Sequence, residues 1–340
     1  MLEVKDTPRA CGRQYGEHHA EAIEAFLHLE ATPNPWRLRY AARCWERLKH
    51  WEAHVVEFVR GMAEGSKLSV EKITLLLLHE EIAHSKHCTA IGATGKGTAD
   101  GRPIIAQNWD WNSRLYPWPS LLRLRSDAML AALHYTFPGL WAGAGINEQG
   151  MSLVWTSAGS IPKMKPQPGI PTYALIAGIL ACKDCQQALA LLRRTKIAGF
   201  FIFIIADARG EVWVIEGWPG RLEAVRCEDV VTRANHYECE TPRRINKLFI
   251  DSTLPEQNTQ YRAERMTALA QRHRGKIDAR RVEAFLCDEG VGEGKNICHR
   301  PSGTRRRMTL DSFYCLPVQR EFWIARGIPT RHEFRRYRVS

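Results

Sequence analysis

At Cys88 the chain changes texture, and the change narrows the folds open to it. Upstream, apolar residues recur at helical spacing: Ala20, Ile23, Phe26 and Leu27 within residues 17–30, then Trp45, Leu48, Trp51, Val55, Phe58, Val59 and Met62 within residues 37–64. Gly65 reads as the C-cap of that second helix. Ser69, with Glu71 in the first turn, reads as the N-cap of a third that runs through Ile73 to about His84. Three helices are therefore expected before Cys88. Downstream the runs shorten to strand length. Cys88 to Ala93 and Ile104 to Trp111 flank a Gly-rich turn ending at Asp100-Gly101, a hairpin pattern; Met129 to Phe137, Ala144 to Ile146 and Met151 to Thr156 continue it. Helices are expected at Tyr173 to Leu180 and from Asp184, with Gln187 as its capping-box partner, to Arg194. Phe200 to Ala206 and Glu211 to Glu216 flank the turn Asp207-Ala-Arg-Gly210, and Leu222 to Val225 and Val230 to Ala234 are read as extending that sheet. Helices at Thr259 to Arg274 and Ala279 to Cys287 lead to strands near Met308 to Cys315 and Glu321 to Ala325. Helices clustered between two groups of antiparallel strands suggest two sheets sandwiched between helical layers, an α+β fold in one domain, 1–340.

Composition removes several classes of protein. With 44% hydrophobic and 25% charged residues, the 340-residue chain has the makings of an ordinary core. Its longest charge-free apolar runs, Ile73 to Leu78 and Ile197 to Ala206, fall far short of the roughly 20 residues of a membrane span. Met1 to Arg13 carries Glu3, Lys5, Asp6 and Arg9 and no apolar h-region, so neither a secretory signal nor a transit peptide is expected, and the expected compartment is the cytoplasm. Ten cysteines are too few for a disulfide scaffold, and free thiols are expected. Of the net charge of +11, residues 299–340 contribute +7, ten Arg against Asp311, Glu321 and Glu333. That tail admits a non-catalytic polyanion-binding protein as a rival. No zinc-finger, RNA-binding or helix-turn-helix pattern accompanies it, so nucleic acid is disfavoured.

Three chemical motifs fail on counting. His79 and His84 stand five apart, about 140° around a helix, where they cannot face one metal. The segment before Gly95-Lys-Gly-Thr98 has Ala90 where a phosphate loop needs Gly. Cys182 and Cys185 have CxxC spacing without a second pair, so no metal and no cofactor are expected.

Cys88 differs because it sits where helix gives way to strand, followed by the small residues Thr89 and Ala90. If the bond before it were cut, the freed α-amine, with a pKa near 8, would be a base on the same residue as the thiol. A buried strand-initial cysteine is the commoner reading of such a position. The rest of the pattern moves the reading away from it. His87-Cys-Thr-Ala90, the Asp100-Gly101 turn, Gln107-Asn-Trp-Asp110, Gly145-Ile-Asn-Glu-Gln-Gly150, Ala206-Asp-Ala-Arg-Gly210, Asn235-His236 and Ile297-Cys298 occur in order. Together, from Gly12-Arg-Gln-Tyr-Gly16 to Gly327-Ile-Pro329, they resemble the acyl-CoA:6-aminopenicillanic acid acyltransferase family. That family comprises autoproteolytic N-terminal-nucleophile enzymes and is similar to penicillin V acylases and bile salt hydrolases.

The resemblance implies a four-layer αββα sandwich, self-cleavage between His87 and Cys88, and association of the resulting chains 1–87 and 88–340. It implies that Cys88 is the nucleophile, that Asp110 lies near its α-amine, and that Asn235 is a side-chain donor of the oxyanion hole. Thr89, Gln107, Asn108, His299 and Arg300 are supporting or substrate-contacting candidates. Three departures stand out. His87 replaces a small residue, the family's Ile-Cys-Arg reads Ile297-Cys298-His299-Arg300, and Gln107 stands where bile salt hydrolases carry Arg, which disfavours bile salts. The expected substrate is a small acylated amine, with an acyl thioester as the alternative donor for an acyl-CoA-dependent N-acyltransferase. Trp109, Trp111, Tyr116, Trp118, Phe137, Trp141 and Trp155 suggest an acyl pocket, although at strand spacing core is the larger expectation. A second rival is an unprocessed cysteine hydrolase whose thiol is activated by His236 or His299.

Overall fold

The computed structural model describes residues 1–83, 88–158, 165–242, 259–290, 296–301 and 306–339. Two sheets lie face to face. One runs β1 (Leu2–Lys5), β4 (Ser120–Ser126), β5 (Met129–Thr136), β6 (Ala144–Asn147), β7 (Ser152–Ser157), β8 (Phe201–Ala206), β9 (Val212–Trp218), β10 (Arg221–Arg226). The other runs β11 (Val230–Arg233), β2 (Thr89–Ala93), β3 (Ile104–Asn112), β12 (Arg307–Leu316), β13 (Glu321–Arg326), β14 (Arg335–Arg338). β2 and β3 face β7 and β8 across the interior. Between them Trp109 packs with Trp155 at 5.6 Å, Phe137 at 5.5 Å and Tyr135 at 5.3 Å, so the aromatic residues of this region are core. Trp111 belongs to the same cluster, Trp141 stacks on Phe58 at 3.9 Å, and Tyr116 instead stands exposed.

Helices cover both outer faces and complete the four expected layers. α1 (Pro8–His18) and α7 (Thr172–Leu180) pack on the larger sheet, and α9 (Thr259–Arg272) and α10 (Ala279–Leu286) on the smaller. The remaining helices are α2 (Ala20–Glu30), α3 (Pro35–Leu48), α4 (Ala53–Ser66), α5 (Val70–Leu77), α6 (His79–Ala83) and α8 (Cys185–Arg193). Among the described residues six helices, not three, precede Cys88. The expected helix over residues 37–64 is two, parted at Lys49 to Glu52, and α1 occupies a stretch for which no element is expected before residue 17. Gly65 is no cap; α4 ends at Lys67, whose φ of 58° is left-handed. Gly65 and Gly61 instead interlock with Gly12 and Gly16 of α1. A Cβ at Gly61 would stand 1.9 Å from the Arg9 carbonyl oxygen, and one at Gly65 2.2 Å from that of Arg13. Only glycine lets the two backbones touch.

The α8 capping box is half formed: Asp184 accepts from the Gln187 amide as expected, but the Gln187 side chain accepts from Lys183 instead of from the Asp184 amide. One strand changes sheets. β10 continues the larger sheet beside β9, but β11 crosses to the smaller one and pairs with β2. Alternation identifies a strand and cannot say which sheet it joins. That crossing carries the end of β11 to the start of β2, where Cys88 stands.

Candidate active site

Register brings three sequence-distant residues together. β11 pairs with β2 so that Arg233 faces Ala90, which sets Asn235 level with Cys88 as the two strands leave the sheet. On the other flank Thr89 faces Asn108, so Cys88 is level with Trp109 and next to Asp110. All three are buried, and the thiol has no disulfide partner. The end of β7 docks on the same spot. The Thr156 hydroxyl donates to the Ala234 carbonyl, and Asn235 Nδ2 donates to the Ser157 carbonyl at 2.8 Å and to its hydroxyl at 3.1 Å.

The residue that ties these pieces is Arg262, on α9. It is fully enclosed, yet its guanidinium donates to the Cys88 carbonyl, to Thr89 Oγ1 at 2.7 Å and to Asn235 Oδ1 at 2.6 Å. Because guanidinium only donates, it fixes the Asn235 amide with its oxygen toward Arg262 and its N–H groups toward Ser157. Sequence reading missed Arg262. A signal was present: Thr259, Arg262, Ala263, Met266 and Ala270 form the buried stripe of an amphipathic helix, and an arginine on such a stripe demands a partner.

Asp110 accepts from Thr309 Oγ1 at 2.6 Å, while its other carboxylate oxygen is enclosed without a hydrogen bond from the described residues. Burial pushes the Asp110 carboxyl up to about 7 against the pull of Arg262 and Thr309. Burial, reinforced by the Asp110 charge, pushes the Cys88 thiol up to about 12, with Arg262 opposing. A peptide-linked Cys88 in this setting is a thiol at neutral pH, not a thiolate.

His299 and Arg300 separate cleanly. His299 lies buried with Nε2 3.7 Å from Asp110 Oδ2, and burial, with Arg262 and Arg307, drives its pKa well below the ordinary value, so it is neutral. Arg300 turns outward, 2.5 Å from Glu289, and donates to Thr330. His236 is held by Thr259 Oγ1 at 2.7 Å. The Thr89 hydroxyl is taken up by Arg262. Asn108 is a brace: its amide donates to the Leu286 and Ile297 carbonyls and its oxygen accepts from Ser312. Gln107 accepts from the Trp155 amide at 2.8 Å and keeps Nε2, buried, without a hydrogen-bond partner among the described residues. His87 falls outside the described residues, as does His84.

Elsewhere, Cys182 and Cys185 donate to separate carbonyls, of Gly178 and Glu211. Cys185, Asp207 and Glu211 do cluster, but Asp207 accepts from the Cys185, Arg209 and Glu211 amides and Glu211 from Gln186 and Trp213, which is the bonding of a braced hairpin turn. In the basic tail, Arg326 sits on Asp311, and Arg336 and Arg338 on Glu321. Among the described residues no helix is long and apolar enough to cross a membrane.

The family described as acyl-coenzyme A:6-aminopenicillanic acid acyl-transferase matches residues 97–331. No curated protein sequence matches. Among solved structures the chain is similar to a conjugated bile acid hydrolase variant from Clostridium perfringens, with 14% identity over 73% of this chain and 96% of that one and a TM-score of 0.46. It is also similar to penicillin V acylase from Agrobacterium tumefaciens, with 12% identity over 70% and 83% and a TM-score of 0.47.

Proposed function

Since the chain belongs to the acyl-coenzyme A:6-aminopenicillanic acid acyl-transferase family, we propose that it is a self-processing cysteine enzyme acting on acylated amines. Amide hydrolysis or acyl transfer at a C–N bond comes with the family. The assignment of residues rests on one observation: buried Arg262 bridges the backbone of Cys88 to the side chain of Asn235.

In processing, the Cys88 sulfur attacks the His87 carbonyl carbon, the C–N bond to Cys88 breaks, and its nitrogen takes up a proton to become the free amine. Water then cleaves the resulting thioester, which returns the thiol and leaves His87 as a carboxylate. The processing attack is intramolecular and happens once, so it tolerates a weak nucleophile. Repeated turnover does not: a sulfhydryl held near 12 needs a base, and the amine freed by cleavage can take its proton. Asp110, beside the Cys88 backbone with one unbonded oxygen, orients that amine and favours its protonated form once the proton has moved.

In turnover, the sulfur attacks the substrate carbonyl and the amine passes its proton to the leaving nitrogen. Asn235 Nδ2, locked by Arg262, donates to the developing oxyanion in place of Ser157 Oγ. Water or an acceptor amine then takes the acyl group. An acylated amine is preferred over an acyl thioester as donor, and neither metal nor organic cofactor enters a step.

N-terminal sequencing tests the proposal. Wild type should yield fragments of roughly 10 and 29 kDa from 87 and 253 residues, the larger beginning at Cys88, and Cys88→Ala should stay intact. Active protein with Cys88 still joined to His87 would favour activation by His299 and overturn the amine-base mechanism.

A further inference from the structure

Most surface arginines of this molecule sit on a carboxylate: Arg9 on Glu64, Arg114 on Glu30, Arg123 on Glu3, Arg194 on Glu52, Arg209 on Asp184. One cluster of cations departs from that habit. Arg43 and Arg47 of α3, Lys165 and Lys196 converge from three separate stretches of chain on a cleft of about 650 Å³. None of the four has an ion-pair partner among the described residues, and the cleft's one acid, Glu46, is taken by Lys49 at 2.7 Å. Four like charges around one hollow repel one another, an arrangement that an anion in the hollow would relieve.

The same helix face carries a second unusual feature. Trp36, Tyr40, Arg43 and Arg47 recur at spacings of four, three and four, so they share one stripe of α3. Trp36 is 60% exposed, more than any other aromatic side chain among the described residues, and stacks on buried Tyr40 with ring centres 5.8 Å apart and planes 13° from parallel. Tyr40 is fixed in turn, because its hydroxyl donates to the carbonyl of Gln167, which lines the cleft. The indole is thus backed on one face by a held ring and open on the other. It stands about 10 Å along the helix from Arg43, two turns at 1.5 Å per residue. A platform for a flat ring and a cationic hollow at that separation match a nucleobase and its diphosphate, with stacking for the one and charge-assisted hydrogen bonds for the other.

We propose that the cleft between α3 and residues 165–168 binds a nucleoside diphosphate or a ligand carrying that group, with its base on Trp36 and its phosphates on Arg43, Arg47, Lys165 and Lys196. This inference does not depend on the chemistry at Cys88, and the unprocessed Cys88→Ala protein should bind equally well.

Isothermal titration of the full chain with ADP and with inorganic pyrophosphate, each at low and at physiological salt, tests it. Both probes should bind, more weakly as salt rises, and ADP more tightly than pyrophosphate. The doubly substituted Arg43→Glu, Arg47→Glu protein should lose roughly tenfold or more in affinity for both probes, the order expected when charge-assisted hydrogen bonds are removed. Trp36→Ala should weaken ADP and leave pyrophosphate unchanged. All three side chains are exposed, and an unaltered thermal midpoint would show the variants folded. No binding of either probe at millimolar concentration, or binding indifferent to the charge reversals, would overturn the site. Equal affinity for the two probes in wild type would overturn its nucleoside part.

Discussion

Arg262 illustrates how a buried charge acts through its neighbours. Desolvation lowers the pKa of the guanidinium, and the charges of Asp110 and Cys88 oppose that. Its three acceptors are the Cys88 carbonyl, the Thr89 hydroxyl and the Asn235 amide oxygen. Removing it leaves those acceptors unpaired and lets Asn235 turn, so in the proposed mechanism Arg262 is a positioning residue and Asn235 the donor. Asn235→Ala should lower kcat about 10²–10³-fold with little change in KM, the usual loss for one oxyanion donor. Arg262→Lys should cost nearly as much, since an ammonium cannot span the same fork of acceptors. Combined in protein verified as processed, the two should cost much less than the product of the single losses, because both act on one donor. Multiplicative losses would mean that Arg262 works by another route. At this scale sequence reading singled out Cys88, Asp110 and Asn235 through their motifs, and the strand register places the three side by side. It could not rank His299 against Arg300, because the two are neighbours in irregular chain, where no periodicity marks a buried side, and only the fold turns His299 inward and Arg300 outward.

Elements were legible where local signals were strong. The hairpins at Asp100-Gly101 and Asp207 to Gly210 and the Asp184 cap all stand within a residue or two of expectation. The misses have physical causes. The α3–α4 break at Lys49 to Glu52 contains neither Gly nor Pro, and Trp51 keeps the apolar period running through it. β1 is four residues long and gains its pairing from β4, over a hundred residues away. α1 carries two glycines, which lower helix propensity, and gains its stability from packing on α4. Two effects compete there. Alanine in place of glycine inside a helix is worth up to about 1 kcal/mol, whereas a methyl driven into the Arg9 carbonyl must push the helices apart, at about 1–3 kcal/mol or more. The steric effect wins, so Gly61→Ala should lower the thermal midpoint. A rise, which propensity alone predicts, would show that α1 and α4 can separate freely.

Across the whole molecule, residues 1–83 are woven into the chain beyond Cys88. β1 pairs with β4, the Tyr15 hydroxyl donates to the Phe137 carbonyl at 3.0 Å, and Trp51 donates to Thr195 Oγ1 at 3.0 Å. Cleavage before Cys88 should therefore leave two chains that co-elute under native conditions and part only in denaturant. Glu81 is a further, buried tie. Its carboxylate accepts from the Thr172 amide at 2.9 Å and hydroxyl at 2.8 Å, at the start of α7. The same side chain lies where a Cβ on Gly199 would be, 2.4 Å from its Cγ. Burial nevertheless raises its pKa to about 7, with the Thr172 hydrogen bonds opposing. A carboxyl that holds its proton more tightly folded than unfolded stabilises the fold below the unfolded pKa of about 4, and that contribution is lost as pH rises through 7. Glu81→Gln removes the titration while its amide oxygen can still accept from Thr172. In the Cys88→Ala background, where unfolding is unimolecular, the stability of Glu81 protein relative to Glu81→Gln should fall by on the order of 3 kcal/mol between pH 4 and pH 8. Urea unfolding at a series of pH values measures that difference, and a constant one would mean that Glu81 stays ionised in the fold and joins the two chains as an anion.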